Sequence, residues 1–244
     1  MLFPRLTDMP SMSAPIDWPD RFQKQSISCQ NPLLKHYYQS GIPSSVTPLS
    51  EIEFLAIDFE TTGLDPQRDD IISIGLVPFT LNRIRCREAR HWLLKPDVPL
   101  KSASVIIHQI THADLDSAPD LTRILQPLLE ALSGRVAVVH YQAIERPFLD
   151  QALKKRLGEG IHFPLVDTLG LEARIHRRKP MSLWSQILGK KPASVRLADS
   201  RARYNLPFYT PHHALTDALA TAELLMAQVA DRYTPDTPIA ELWE

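Results

Sequence analysis

Three stretches with the character of β-strands, Phe54–Phe59, Ile71–Phe79 and His91–Leu94, precede the first long helical pattern of this chain. Turn-forming or polar segments separate them, among them Gly63-Leu64-Asp65-Pro66 and Gln67-Arg68-Asp69-Asp70, so neighbouring runs can pair antiparallel. The second half of the chain narrows the fold further. Leu121, Ile124, Leu125, Leu128, Leu129 and Leu132 recur at helical spacing, and Gly134 ends the pattern. A β-branched run, Val136–Val139, comes next, then a helix from about Ile144 to Leu157 that stops near Gly158. Val166–Leu169 reads as a short strand leading into another helix, and a last long helix spans His213 to Asp231, before Pro235. Strands first, then strands alternating with helices, predict an α/β fold in which a mixed sheet is flanked by helices.

The residues outside this pattern are expected to be appendages. Residues 1–50 are Pro-rich and weakly periodic, with one short helix predicted at Leu33–Gln39; we expect an extension packed on a domain spanning 51–232, with 233–244 as a tail. A chain of 244 residues suits one domain with such additions. Hydrophobic residues at 44% and charged residues at 23% exclude wholesale disorder. Pro4, Pro10 and Pro15 interrupt the first residues, leaving no apolar core for a signal peptide, and no run approaches the ~20 apolar residues of a membrane span. Cys29 and Cys86 stand far apart, outside any zinc-ligand spacing. A cytoplasmic protein with no membrane partner is the expectation.

Charge bears on partners. A net charge of −1 argues against a protein that coats nucleic acid, because coating rests on neutralising many phosphates, but it leaves room for an enzyme that engages one strand end. The basic residues gather between Arg174 and Arg203, where Arg177, Arg178, Lys179, Lys190, Lys191, Arg196 and Arg201 face Asp199 alone. That stretch reads either as a solvated loop or as a groove tracking phosphates, with Trp184 available for stacking.

Asp58 and Glu60 close the apolar run Phe54-Leu55-Ala56-Ile57. At i and i+2 on a strand their side chains share a face, and like charges so close demand a shared proton or a cation. The heptad Asp58-Phe59-Glu60-Thr61-Thr62-Gly63-Leu64 resembles the first motif of the DEDD exonucleases, specifically the DEDDh group that includes bacterial proofreading subunits of the DNA polymerase III epsilon type. The resemblance implies that Asp58 and Glu60 bind metal, that the Thr61-Thr62-Gly63 backbone lies against the terminal nucleotide, and that Leu64 wedges beside its base.

Two further motifs come in the family's order. His140-Tyr141-Gln142-Ala143-Ile144-Glu145 is similar to the second, with Tyr141 where Asn is usual and Glu145 where Asp is usual. The extra methylene moves the carboxylate by about one carbon–carbon bond, roughly 1.5 Å. His212-His213-Ala214-Leu215-Thr216-Asp217-Ala218 matches the third motif and implies His212 as base and Asp217 as the last ligand. Residues i and i+5 lie about 140° apart on an ideal helix, so His212 is expected in the loop before the helix that bears Asp217. Ile107-His108-Gln109-Ile110-Thr111 is similar to a lesser family segment, with Gln109 at a customary Gly; His108 is expected either to touch substrate or to serve structure. Asp167-Thr168-Leu169 resembles another, and Asp167 is expected to be structural.

The resemblance covers about Phe54 to Met226 and implies an RNase H-like exonuclease fold. It further implies a metal-dependent 3′→5′ exonuclease that uses two divalent ions, Mg2+ or Mn2+, acts on the free 3′ end of a strand and releases nucleoside 5′-monophosphates, with a polymerase or repair protein as a possible partner. Single-stranded DNA is the first expectation for substrate. An RNA-trimming or short-oligonucleotide exonuclease has the same chemistry, since choosing RNA depends on contacts to the 2′-hydroxyl. A catalytically silent binding scaffold is the remaining alternative, suggested by Tyr141 and Glu145.

Overall fold

The computed structural model describes residues 16–178 and 194–244. Their centre is a six-stranded mixed sheet of β1 (Phe54–Thr61), β2 (Ile71–Thr80), β3 (Arg83–Ile84), β4 (Arg90–Leu93), β5 (Val136–Val139) and β6 (Leu165–Asp167). The strands run in the order β3-β2-β1-β5-β6, and β4 also pairs with β2. β2 is antiparallel to β1, β5 is parallel to β1, and β6 is parallel to β5. Helices cover the sheet, so β1 and β5 are buried on both faces; this is why they read as continuous apolar runs.

The helices are α1 (Trp18–Ser28), α2 (Pro32–Gln39), α3 (Ser102–His108), α4 (His112–Leu115), α5 (Leu121–Leu132), α6 (Gln142–Leu157), α7 (Thr168–Arg178), α8 (Leu197–Arg203) and α9 (Ala214–Arg232). Their ends reflect local chemistry. Asp17, Asn31 and Asp120 cap α1, α2 and α5 by accepting backbone N–H groups, and Gly158 ends α6 in the left-handed conformation. Helix α9 packs across β1 and β2 and thereby carries the third motif onto the strand that bears the first.

The sequence expectation lacks α1, β3, α3, α4 and α8, and it misplaces the end of β6. Helix α1 went unread because only Trp18 and Phe22 are buried in it, too few for a periodic signal. Thr168 and Leu169 belong to α7 rather than to a strand: β6 ends at Asp167, whose carboxylate accepts the Leu169 N–H at 3.0 Å and so opens the helix.

The segments at either end share the core of the sheet. Trp18, Phe22, Leu34, Tyr37 and Tyr38 lie in one apolar cluster with Phe54, Leu128 and Leu153, and so do Ile239, Leu242 and Trp243. The two segments also bond to each other, Leu49 N–H donating to Thr237 O and Ile239 N–H to Thr47 O, both at 2.9 Å. Trp243 bridges to Val166 on the edge strand β6. No helix among the described residues is long and apolar enough to cross a membrane.

Three arginines of the basic stretch are fastened internally, which corrects the phosphate-tracking expectation for them. Arg201 is buried, donating to Ala220 O at 2.6 Å and Pro207 O at 2.9 Å and pairing with Glu223 at 2.7 Å. Arg203 pairs with buried Glu172 at 2.6 Å, and Arg174 with Glu244 at 2.9 Å. The carboxylates that oppose them come from α7, α9 and the tail, which a local count of charge does not include. Lys179, Trp184, Lys190, Lys191 and the side chains of Arg177 and Arg178 lie outside the described residues.

Candidate active site

Four acidic side chains on three elements meet above the end of β1. Asp58 and Glu60 project from one face of that strand, Glu145 from the first turn of α6, and Asp217 from the first turn of α9. Glycine at position 75 permits the meeting. Gly75 pairs with Asp58 across β1 and β2, and a Cβ there would lie 2.3 Å from Ala214 C and O and 2.4 Å from Leu215 N. The start of α9 therefore rests directly on β2 backbone. Sequence reasoning did not single out Gly75; an isolated Gly within a β-branched strand, marking close backbone approach, was the available signal.

Burial and mutual repulsion destabilise the ionised forms. Burial first, then Asp217, Glu60 and Glu145, hold the Asp58 carboxyl well above the usual carboxylate range. Burial and Asp217 push Glu60 up to about 8, and burial with Asp167 and Glu60 pushes Glu145 up to about 8. Burial likewise raises Asp217, against the backbone N–H of His212, which donates to its Oδ2 at 2.7 Å. Four buried carboxyl groups whose ionised forms are disfavoured fit a cation, which supplies the missing charge. Glu145 Oε2 is buried with no hydrogen-bond partner, a further sign that the donor set suits such a group. Ligand atoms of Glu60, His212 and Asp217 all lie within 4.8 Å of one another.

His212 stands in the loop before α9 with φ +70°, turned toward Glu60 and Asp217. His213 turns away. It caps α9 at Thr216 N and tilts against the His91 ring at 4.8 Å between centroids.

The turn after β1 is tightly bracketed. Thr61 Oγ1 donates to Gly63 O at 2.6 Å, while Thr62 is fully buried, donating to Asp69 and accepting the Asp70 N–H. Both threonine side chains therefore shape the turn, and the Thr62 N–H ties it to Asp70 O at 3.0 Å. Leu64 remains half exposed beside it. Asp69 also accepts Lys101 Nζ at 2.5 Å, tying this turn to the start of α3. At the other end of α3, His108 is buried, its Nδ1 accepting the Ile110 N–H at 3.0 Å and its Nε2 without a partner; burial and the nearby His212 lower its pKa. Gln109, at the customary Gly, takes the left-handed conformation with φ +58°, so the turn is kept at some cost in backbone strain. Asp167 is buried and accepts N–H groups of Tyr141 at 3.0 Å and Gln142 at 3.3 Å, bracing the start of α6.

Comparison with known proteins gives the family. Residues 55–225 match the RNase T exonuclease family. The chain is 31% identical over 175 residues to a DNA polymerase III PolC-type protein of Thermotoga petrophila, covering 71% of this chain and 12% of that protein. It is 28% identical over 181 residues to a DNA polymerase III subunit epsilon-like protein of Rhodobacter capsulatus, covering 74% of this chain and 24% of the relative. The chain thus spans only a small part of the length of these relatives. In fold it is similar to exonuclease X in complex with 5′-overhanging duplex DNA (TM-score 0.57, 21% identity, 76% of this chain and 96% of that one). It is also similar to the nuclease domain of 3′hExo, a DEDDh family member bound to rAMP (TM-score 0.58, 15% identity, 74% and 92%). The match over 55–225, more than half of the chain, means that this chain belongs to the RNase T exonuclease family.

Proposed function

We propose that the chain removes nucleotides from the 3′ end of a DNA strand by hydrolysis, releasing nucleoside 5′-monophosphates, with Asp58, Glu60, Glu145 and Asp217 holding two divalent cations. The observation that supports this most is the cluster of four carboxyl groups, each raised by burial, with the His212 ring at its rim. Oxygen ligands favour Mg2+ or Mn2+. When bound, such ions act as Lewis acids that stabilise the attacking and leaving oxygens of an in-line displacement.

The protein's own groups supply the rest. His212, exposed at the rim, accepts the proton of the attacking water on its unprotonated ring nitrogen and returns it to solvent. The backbone of Thr61, Thr62 and Gly63 receives the terminal nucleotide, and half-exposed Leu64 packs on its base. His108, close enough to His212 to depress its own protonation, lines the same side of the site. DNA is the favoured substrate because the relatives in sequence are DNA polymerase III proteins, whose names also suggest DNA polymerase III as partner.

The test is degradation of end-labelled single-stranded DNA, duplex DNA and RNA side by side, with Mg2+, Mn2+ or chelator. We expect stepwise loss from the 3′ end, strongest on single-stranded DNA, abolished by chelator and by Asp58→Ala. Faster loss of RNA would make the protein an exoribonuclease. Full activity in Asp58→Ala would sink the two-metal assignment.

A further inference from the structure

Helix α6 carries Glu145 in its first turn, whose leading N–H groups are braced by Asp167. Tyr141 precedes it with φ +111°. Pro147 has no N–H to donate to the carbonyl of Ala143 one turn earlier. A longer carboxylate than the family's usual Asp hangs from this turn, so its placement depends on more than the Asp167 brace.

That support comes to the next residue. The Arg146 guanidinium lies 5.4 Å from the Trp18 ring and 5.9 Å from the Phe163 ring, held between the two faces. Its Nη2 donates to Glu244 O at 2.6 Å. The Glu244 side chain accepts from Gln142 Nε2, at the first position of α6, and pairs with Arg174 of α7 at 2.9 Å. Glu244 is itself fixed to the sheet, its N–H donating to Leu165 O at 2.8 Å beside the bridge of Trp243 to Val166. Trp18 and Glu244 both lie outside residues 55–225 that match the family.

We propose that Arg146 is a positioning residue for Glu145, anchored from opposite ends of the chain by Trp18 and Glu244 so that the first turn of α6 presents the Glu145 carboxylate to the metal. The proposal rests on Glu145 being a metal ligand. It gives the two end segments a part in the reaction: they set the depth of one ligand rather than merely enlarging the core. A flat guanidinium suits the place because one group can face two rings and still donate in its own plane.

The test is Mn2+ binding to the full-length, metal-free chain, read by electron paramagnetic resonance, together with Mg2+ activation of hydrolysis and thermal melting without metal. Arg146→Met should weaken Mn2+ binding about tenfold or more, the usual range for residues that orient a ligand, and raise the Mg2+ needed for half-maximal rate in parallel. KM for DNA should stay within about threefold, since Arg146 lies behind the ligand and not beside the strand. Arg146→Lys should recover part of the loss. Trp18→Leu should weaken Mn2+ binding in the same direction by a smaller factor, and it carries the test if Arg146→Met does not fold. Variants that melt lower yet bind Mn2+ as the parent does would overturn the proposal. If the parent degrades no nucleic acid but its Mn2+ binding depends on Arg146, the positioning role stands and the nuclease reading fails.

Discussion

At the scale of single residues, the site combines one proton acceptor with four acids that resist ionising together. His212 and His213 are adjacent, yet the chain turns only His212 toward Glu60 and Asp217, while His213 caps α9. We therefore expect His212→Ala to lower the rate by about 10²–10⁴, the range for general base catalysis, and His213→Ala to do far less; equal losses in steady-state rate would remove His212 as the base. The carboxyl groups make a separate prediction. Glu60 and Glu145 sit near 8 in the folded, metal-free protein, against an ordinary value of 4.5. A folded-state pKa above the unfolded one favours the protonated fold, so this contribution is complete below pH 4.5 and is lost as pH rises through about 8. A divalent cation takes the place of those protons. Melting temperatures in chelator should fall from pH 6 to pH 9 by way of this site, and the gain from added Mn2+ should widen over the same window; a gain independent of pH would contradict the assignment.

Among the elements, Gly75 shows how the sheet and α9 are fitted. Gly75→Ala places a methyl where Ala214 backbone already stands, so α9 must lift from β2 and take His212 and Asp217 with it. Since a displacement near 1 Å costs about 10²-fold, activity should drop by that order with only a modest change in KM, as steady-state kinetics will show; an unaltered kcat would mean that the helix start is not a determinant of the site. The difference between legible and hidden elements has the same origin. β1, β5, α5, α6 and α9 were readable because each buries an apolar face or run in the core, which writes its period into the chain. The acidic residues and His212 were readable because their order and spacing along the chain are themselves the motif. Helix α1, Gly75 and the partners of Arg146, Arg201 and Arg203 were not: each is defined by a contact with residues distant in sequence, and nothing local distinguishes a surface arginine from one that pairs with a buried glutamate.

For the molecule as a whole, the question is whether residues 55–225 that match the family can stand without what surrounds them. Trp18, Phe22, Leu34, Tyr37 and Tyr38 are all buried in the same cluster as the sheet, with Phe22 and Tyr38 rings 5.2 Å apart, and α2 packs on α5. Burying a large apolar side chain contributes about 1.5–3 kcal/mol, whereas a domain's whole stability is about 5–15 kcal/mol. Five such side chains therefore weigh as much as the margin by which the fold exists. Removal also opens the sites they cover, because the tail loses the bonds that Thr47 and Leu49 make to it, and with them the support of Glu244 on α6. A chain beginning at residue 51 should accordingly show no cooperative thermal transition by circular dichroism and should be cut rapidly by protease, with or without Mn2+. Separating the two effects needs one more variant, Leu34→Ala in the full-length chain, which opens a cavity without releasing the tail: it should lower the melting temperature while leaving Mn2+ affinity unchanged. A truncated chain that melts cooperatively near the parent temperature would show that the sheet and its own helices suffice, and that the segment 16–50 is accessory.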